Sequence, residues 1–385
     1  MAVIASTKIA ALVTALVTFV SGFAANPPTQ PEKPADDTSQ EETVMSIKDI
    51  TPLELTSRIT IGWNLGNALD CTSSSETAWG NPVTTQDMIL AVKQAGFNAV
   101  RIPVTWYTSC DSNWNIDKAW MDRVEEVVNY VYKNDMYAII NLHHENWHFP
   151  SEDNLKPAKK IMKKLWTQIG ERFKDYDEHL IFEGMNEPRK VGTNWEWNGG
   201  DSEGRAVVNE LNAAFVSAVR ATGGSNKYRC LMIPTYAASD QGLNGFELPD
   251  DDRLIVDIHA YSPYNFAMNT GGGSTSKFSA DDSGSTSGLI WLSDTLNERF
   301  ISNGVGVIIG ECGTVNKNNL ADRIRWAKYF PEVFGRYGIP VFLWDNNAYG
   351  SGNETFGMLH RDTLKWEYPT YIETLVSAAK KIRQG

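Results

Sequence analysis

The sequence predicts an α/β fold closed into a (β/α)8 barrel, a TIM barrel, in one domain. Three observations lead there. From about residue 50 the chain alternates eight short apolar, β-branched runs with longer stretches of helical period. The runs are nearly continuous in apolar character, as a parallel sheet covered on both faces requires. The first run leads into Asn64-Leu65-Gly66-Asn67, which lacks the Gly-rich phosphate turn that an open doubly wound sheet would place there, and no P-loop occurs. Eight units in about 340 residues suit a closed barrel.

The strand runs, in order, are ITIGWNL (59–65), AVRIPV (99–104), YAIINLH (137–143), LIFEGM (180–185), CLMIPT (230–235), LIVDIHA (254–260), GVIIGE (306–311) and PVFLWD (340–345). Between the first two, TTQDMILAVKQAG opens on a Thr cap and closes on Gly96. Between the second and third, Trp120, Val124, Val127, Val128 and Val131 repeat at the i, i+3, i+4 spacing of an amphipathic helix. Further helices are expected at about 156–174, 203–222, 289–303, 319–336 and 369–383. The crossover at 236–252 is at best weakly helical. The Gly/Ser-rich insert at 269–288 is expected as a mobile loop beside the barrel mouth.

Residues 1–25 carry one early charge, Lys8, then an apolar run and small residues, the pattern of a secretory signal peptide. A membrane anchor would want a longer apolar run. Residues 26–44 are rich in Pro and in acidic or polar side chains and predict a disordered linker, leaving 45–385 as the barrel domain. A secreted, extracellular, monomeric protein with no membrane span after signal removal is expected. The net charge of −12 argues against nucleic acid as a partner. Cys71, Cys110, Cys230 and Cys312 fit export if paired, in any of three connectivities. No CxxC occurs, and no cofactor or metal is expected. Asn353-Glu354-Thr355 is a glycosylation sequon.

A barrel of this kind places its active site at the C-terminal ends of its strands. Read in order, those ends offer Trp63 and Asn64, Arg101, His143 and His144, Asn186 and Glu187, His259 and Tyr261, Glu311, then Trp344 and Asn346. Two glutamates ending the fourth and seventh strands suggest paired-carboxylate chemistry of the kind that cleaves glycosidic bonds. Each alone is as readily a cap or an arginine partner. Pro188 cannot extend a ladder and fixes the turn behind Glu187. Strand alternation would point Asn186 and Glu187 apart, so a bend is expected there, with a non-regular peptide one way to make it. The same alternation makes His143 and His144 an awkward pair for one metal ion. Trp147, Trp195 and Trp197 are equally readable as sugar platforms or as packing.

The pieces GWNLGN, AVRIPVTW, NLHHE, FEGMNEP, DIHAYSP, IIGECG and FLWDN, in that order from residue 61 to 346, resemble glycoside hydrolase family 5, and its endoglucanase branch in particular. That resemblance implies a retaining endo-β-1,4-glucanase acting on a β-glucan polysaccharide. It implies Glu187 as acid/base and Glu311 as nucleophile. Arg101 would lie beneath the nucleophile, Tyr261 would donate to it, and His259 would lie by the acid/base. His143 and Asn186 would contact the sugar, and Trp344 would stack under it. Asn64 and His144 would join this substrate-binding set. The charge of Glu311 would favour a protonated Glu187. Cys312 stands where the simplest family pattern has an aromatic residue, which assigns it to packing or a disulfide. Xyloglucanase, mixed-linkage glucanase and mannanase are the rival activities on the same scaffold, and a carbohydrate-binding protein without catalysis is the rival class.

Overall fold

The computed structural model describes residues 47–384. The expected signal segment and linker lie outside the described residues. Eight parallel strands close in chain order: β1 (Gly62–Leu65), β2 (Ala99–Ile102), β3 (Tyr137–Asn141), β4 (Leu180–Glu183), β5 (Leu231–Pro234), β6 (Leu254–His259), β7 (Gly306–Cys312) and β8 (Val341–Asp345). β1 pairs with both β2 and β8, which completes the barrel. The helices are α1 (Pro52–Arg58), α2 (Gln86–Ala95), α3 (Lys118–Tyr132), α4 (Glu152–Phe173), α5 (Ser202–Ala221), α6 (Tyr264–Ala267), α7 (Ser283–Arg299), α8 (Leu320–Gly335) and α9 (Pro369–Gln384). A two-stranded ribbon, β9 (Leu359–His360) and β10 (Lys365–Trp366), precedes α9. Among the described residues no helix is long and apolar enough to cross a membrane.

Local chemistry sets the helix starts. The side chains of Thr85, Asp117 and Asp201 accept N–H groups of the first turns of α2, α3 and α5, and Gly96 closes α2 in the left-handed region at φ 103°. The crossover after β5 holds only two short 3-10 turns. The insert differs from expectation. Asp282 caps α7, whose first turns are the Ser/Gly run that composition reads as loop. Gly and Ser are weak helix formers, but the cap and the buried face of Leu289, Leu292 and Leu296 override them. The insert is also pinned: buried Phe278 donates its N–H to Asp322, and Lys317 Nζ reaches the carbonyls of Asn265 and Thr275.

Period-two alternation divides the strands. Ala99, Ile139, Ile181, Met232, Ile255, Ile308 and Phe342 form one cluster inside the barrel, with Ile50, Leu55 and Ile59 around α1 sealing its lower end. Val100, Ile140, Phe182, Leu231, Val256, Val307 and Leu343 pack outward under the helices. One step further along the same strands the inward residues are Asn64, Arg101, Asn141, Glu183 and Asp257, all fully buried. A charged layer thus sits on an apolar one, and the apolar layer supplies the hydrophobic stabilisation of the barrel interior, at about 1.5–3 kcal/mol per large side chain.

All four cysteines are free, so the pairing that would have suited export is absent. Each is instead a packing residue. Cys230 belongs to the interior cluster and Cys312 lies against the Phe342 carbonyl. Burial pushes the Cys110 and Cys230 thiols up to about 12, which keeps both unreactive near neutrality.

Gly62 shows how tightly the lower layer is filled, because a Cβ there would stand 2.1 Å from the Phe342 ring. Gly62→Ala should therefore cost about 1–3 kcal/mol through overpacking, read as a lowered melting temperature. An unchanged melting temperature would mean the interior layer has slack.

Candidate active site

Arg101 of β2 is the centre of the charged layer. Its guanidinium offers five N–H donors, and all five are used. Nε and Nη2 grip the Glu183 carboxylate at 2.6 and 2.7 Å, and Nη2 also reaches Asn186 Oδ1 at 2.6 Å. Nη1 bonds Asn64 Oδ1 at 3.0 Å and Glu311 Oε1 at 2.7 Å. Burial alone would lower the pKa of Arg101, but Glu183 and Glu311 outweigh it and hold the guanidinium charged. Asn64 was expected among the substrate-binding residues, with no defined role. It is fully buried, with Nδ2 on the Gly310 carbonyl.

Glu311 could not reach this centre on a regular strand, because Gly310 already faces inward. The ladder shifts register between Ile258 and His259 on the β6 side and between Ile309 and Cys312 on the β8 side. Those irregularities turn two successive residues toward the mouth. Tyr261, past the end of β6, donates its hydroxyl to Glu311 Oε2 at 2.8 Å. Gly310 has its own reason: a Cβ there would meet Asp257 Oδ1 at 2.2 Å. The missing side chain is the seat of the Asp257 carboxylate.

Glu187 follows a bend. β4 stops at Glu183, the chain turns at Gly184 and Asn186, and the Asn186 N–H bonds the Leu142 carbonyl. The bend is as expected, but its peptides are trans; Ser262–Pro263 is the cis bond among the described residues. His259 Nδ1 lies 2.8 Å from Glu187 Oε1 and 3.6 Å from Glu311 Oε2. Its Nε2 is 3.1 Å from Asp257 Oδ2, at an angle too poor for a hydrogen bond. Burial opposes a charge on His259, but Glu311, Asp257 and Glu187 together raise its proton affinity well above the usual histidine range. Glu187 responds in the opposite sense. Burial would raise it, yet the His259 imidazolium and then Arg189 outweigh burial and lower it. Protonation favoured by Glu311 is therefore not the balance found.

His143 accepts the Asn141 Nδ2–H on Nδ1 at 3.1 Å, which leaves Nε2–H as its donor. Burial first, then the charges around it, holds its ring neutral. Trp344 lies parallel to that ring at 5.9 Å and 4° and is nearly buried. Asn186 has Oδ1 committed to Arg101, so its amide N–H2 is the free end. Burial lowers His144 to about 4. β3 ends at Asn141, so alternation does not separate the two histidines as expected. Their rings lie 4.5 Å apart, and both reach Asp70. The Asp70 oxygens accept the backbone N–H groups of Asn67 and Ala68, and His143 Nδ1 accepts from Asn141, so two of that trio already have protein donors. Trp147 is packing: it is buried, with its N–H on Glu145. Trp195 and Trp197 are exposed.

The arrangement brings two carboxyl groups to one cleft, one beside a tyrosine and an arginine, the other beside an imidazolium. A family model described as cellulase, glycosyl hydrolase family 5, matches residues 66–350. The chain belongs to glycoside hydrolase family 5. Endoglucanase B of Neocallimastix patriciarum is 47% identical over 86% of this chain and 72% of its own length. Cellulase/esterase CelE of Acetivibrio thermocellus is 49% identical over 89% of this chain, which spans 42% of that longer relative. A broad specificity endoglucanase from Ruminococcus champanellensis, solved with bound cellotriose, superposes with a TM-score of 0.82 at 49% identity over 86% of this chain and 99% of the other. A xyloglucan-specific endo-beta-1,4-glucanase from a metagenomic library gives 0.81 at 38% identity over 84% of this chain and 98% of the other.

This family 5 glycoside hydrolase also holds residues that reading the strand ends missed. Glu183 lies three residues before Asn186, and Asp257 two before His259, the earliest groups read there for the site. A carboxylate inside a buried apolar run was the signal for both. Asn141, on Glu183 Oε1 at 3.2 Å, gave the same signal.

His259 makes a pH prediction. A histidine whose folded pKa is raised contributes stability that is fully present below its unfolded value, near 6.5, and is lost as pH climbs toward the folded value. Stability should therefore fall with pH from about 6.5 upward, and His259→Asn should flatten that slope in melting temperatures taken across the range. Parallel slopes would mean that His259 is not charged in the fold.

Proposed function

We propose that this glycoside hydrolase is a secreted, retaining endo-β-1,4-glucanase, with Glu187 as acid/base and Glu311 as nucleophile. One observation carries the mechanism: oxygens of Glu187 and Glu311 lie within 4.8 Å of each other and of a His259 nitrogen. Retention needs carboxyl groups about 5–5.5 Å apart, while inversion needs about 6.5–9.5 Å to admit a water. Glu311 is held by Arg101 on one oxygen and Tyr261 on the other, which fixes a carboxylate poised to attack. In the first step a Glu311 oxygen bonds the anomeric carbon as the bond to the leaving sugar breaks. Glu187 gives that leaving oxygen its proton, which the 2.8 Å contact lets His259 pass across. In the second step water gives its proton to Glu187 and its oxygen to the anomeric carbon, which frees Glu311.

The names of the relatives and the cello-oligosaccharide in the neighbouring structure support a β-glucan chain as substrate. His143 Nε2–H and the Asn186 amide are free donors for sugar hydroxyls, and Trp344 offers its ring. The pattern of residues 1–25 supports export. A product profile on carboxymethyl cellulose, barley glucan, xyloglucan and mannan assigns the polymer.

Glu187→Gln should reduce turnover on carboxymethyl cellulose by about 10²–10⁴-fold, and Glu311→Gln should nearly abolish it, with circular dichroism unchanged. Tens of per cent residual activity in either would remove that residue from its role. Proton NMR of the first product should show the β-anomer; an initial α-anomer would sink retention.

A further inference from the structure

Arg189 follows the Asn186-Glu187-Pro188 turn, on the loop that leads into α5. Its Nη1 lies 3.0 Å from the Glu187 carbonyl and 3.4 Å from Glu187 Oε2. Its Nε lies 3.2 Å from Glu196 Oε1, and its guanidinium carbon sits 4.0 Å above the Trp197 ring. The loop that carries these partners is itself tied down. Glu196 accepts the Gly192 N–H at 2.8 Å. The Tyr236 hydroxyl accepts the Lys190 N–H at 2.7 Å and donates to the Trp195 carbonyl at 2.9 Å. A surface ion pair is ordinarily worth little, because two long side chains must be ordered to make it. Here a ring face, a second carboxylate and a closed loop have already ordered the arginine.

We propose that residues 189–197 form a latch in which Trp197 and Glu196 hold the Arg189 guanidinium against Glu187, so that Arg189 sets the pH at which Glu187 gives up its proton. The inference rests on reading Glu187 as the acid/base. Other titratable groups also face that carboxyl. His259 of β6 and Glu311 of β7 are the nearest, with Tyr261 beyond β6, His144 on the loop after β3 and Glu354 on the loop after β8. His259 is the larger cationic influence, and it is buried within the barrel mouth. Arg189 is the one of these cations carried on a loop that can be altered without touching the barrel. A cation beside a carboxylate stabilises the ionised form. Its loss makes Glu187 keep its proton to higher pH, and the alkaline limb of the rate profile follows. That limb reports the Glu187–His259 pair as a unit.

The test is the pH profile of kcat/KM on carboxymethyl cellulose for Arg189→Gln, Arg189→Lys and Trp197→Ala. Arg189→Gln should move the alkaline limb up by about one unit. Arg189→Lys keeps the charge and should hold the limb near its native position. Trp197→Ala should move it up by a smaller amount. A limb that stays in place in Arg189→Gln overturns the latch, as does an equal loss of rate at every pH, which is what a merely structural arginine would give. If Arg189→Gln does not fold, Trp197→Ala and Glu196→Gln carry the test, and an unmoved limb in both overturns it. Glu187→Gln separates the two readings. If it stays active, the acid/base assignment fails; if it is inactive while the Arg189 limb is fixed, the latch alone fails.

Discussion

Everything at the barrel mouth depends on one buried guanidinium. Removing a charge from water costs several kcal/mol even after the protein relaxes, and Arg101 cannot shed its proton to avoid that cost. The remaining way is to satisfy every donor, and the structure does so from three other strands: Asn64 of β1, Glu183 and Asn186 at the end of β4, and Glu311 of β7. These partners sit on opposite sides of the barrel, so the arginine braces its open end. The bidentate grip on Glu183 leaves one face of the guanidinium for Glu311, and that fixes where the Glu311 carboxylate can be. A lysine could not replace it, because a point charge has no fork to divide among four partners.

The two cleft carboxylates differ through their neighbours. Glu311 is bonded by an arginine and a tyrosine hydroxyl, groups that stabilise its anion and do not give up a proton near neutrality; burial and Glu311 itself push Tyr261 well above its usual range. Glu187 instead faces an imidazole, which can exchange a proton with it. This asymmetry supports the proposed reading of Glu311 as nucleophile and Glu187 as proton carrier. Glu354 on the rim marks the resulting field. Burial, then Glu311 and Glu187, push its carboxyl up, so one more negative charge is unwelcome in the cleft.

The fold was legible because apolar runs and helix caps are local signals. Seven of the eight strands lie within the stretches their sequences suggested, and β7 runs one residue past its stretch, to Cys312. The exceptions have physical causes. The first turns of α7 hid behind Ser and Gly, because the cap and the buried leucine face that secure them act beyond local composition. The end of β3 at Asn141 set aside an alternation argument that was sound for a longer strand. In the site, Glu187, Glu311, Arg101, His259 and Tyr261 stand together as expected. Asn64 lies buried against the guanidinium, and sequence order does not say which polar residue at a strand end lies above that group and which below. The register shifts around β7 were invisible for the same reason. A bulge is a property of two strands, and neither sequence alone contains it.

The division of labour between barrel and loops follows from these constraints. The charged layer is fully buried and is drawn from five strands, and its side chains satisfy one another. Chemistry is therefore fixed by the barrel. The exposed aromatics, Trp79 after β1 and Trp195 and Trp197 after β4, stand on loops with far fewer obligations. Polymer preference can change on those loops while the Arg101 network stays intact, which is how one scaffold comes to serve several β-glycans. Arg189 lies where the two meet. It is carried on the loop after β4, yet it lies 3.4 Å from a carboxylate that the barrel holds in place. A change in that loop would alter the substrate bound and, through the same few side chains, the pH at which it is cut.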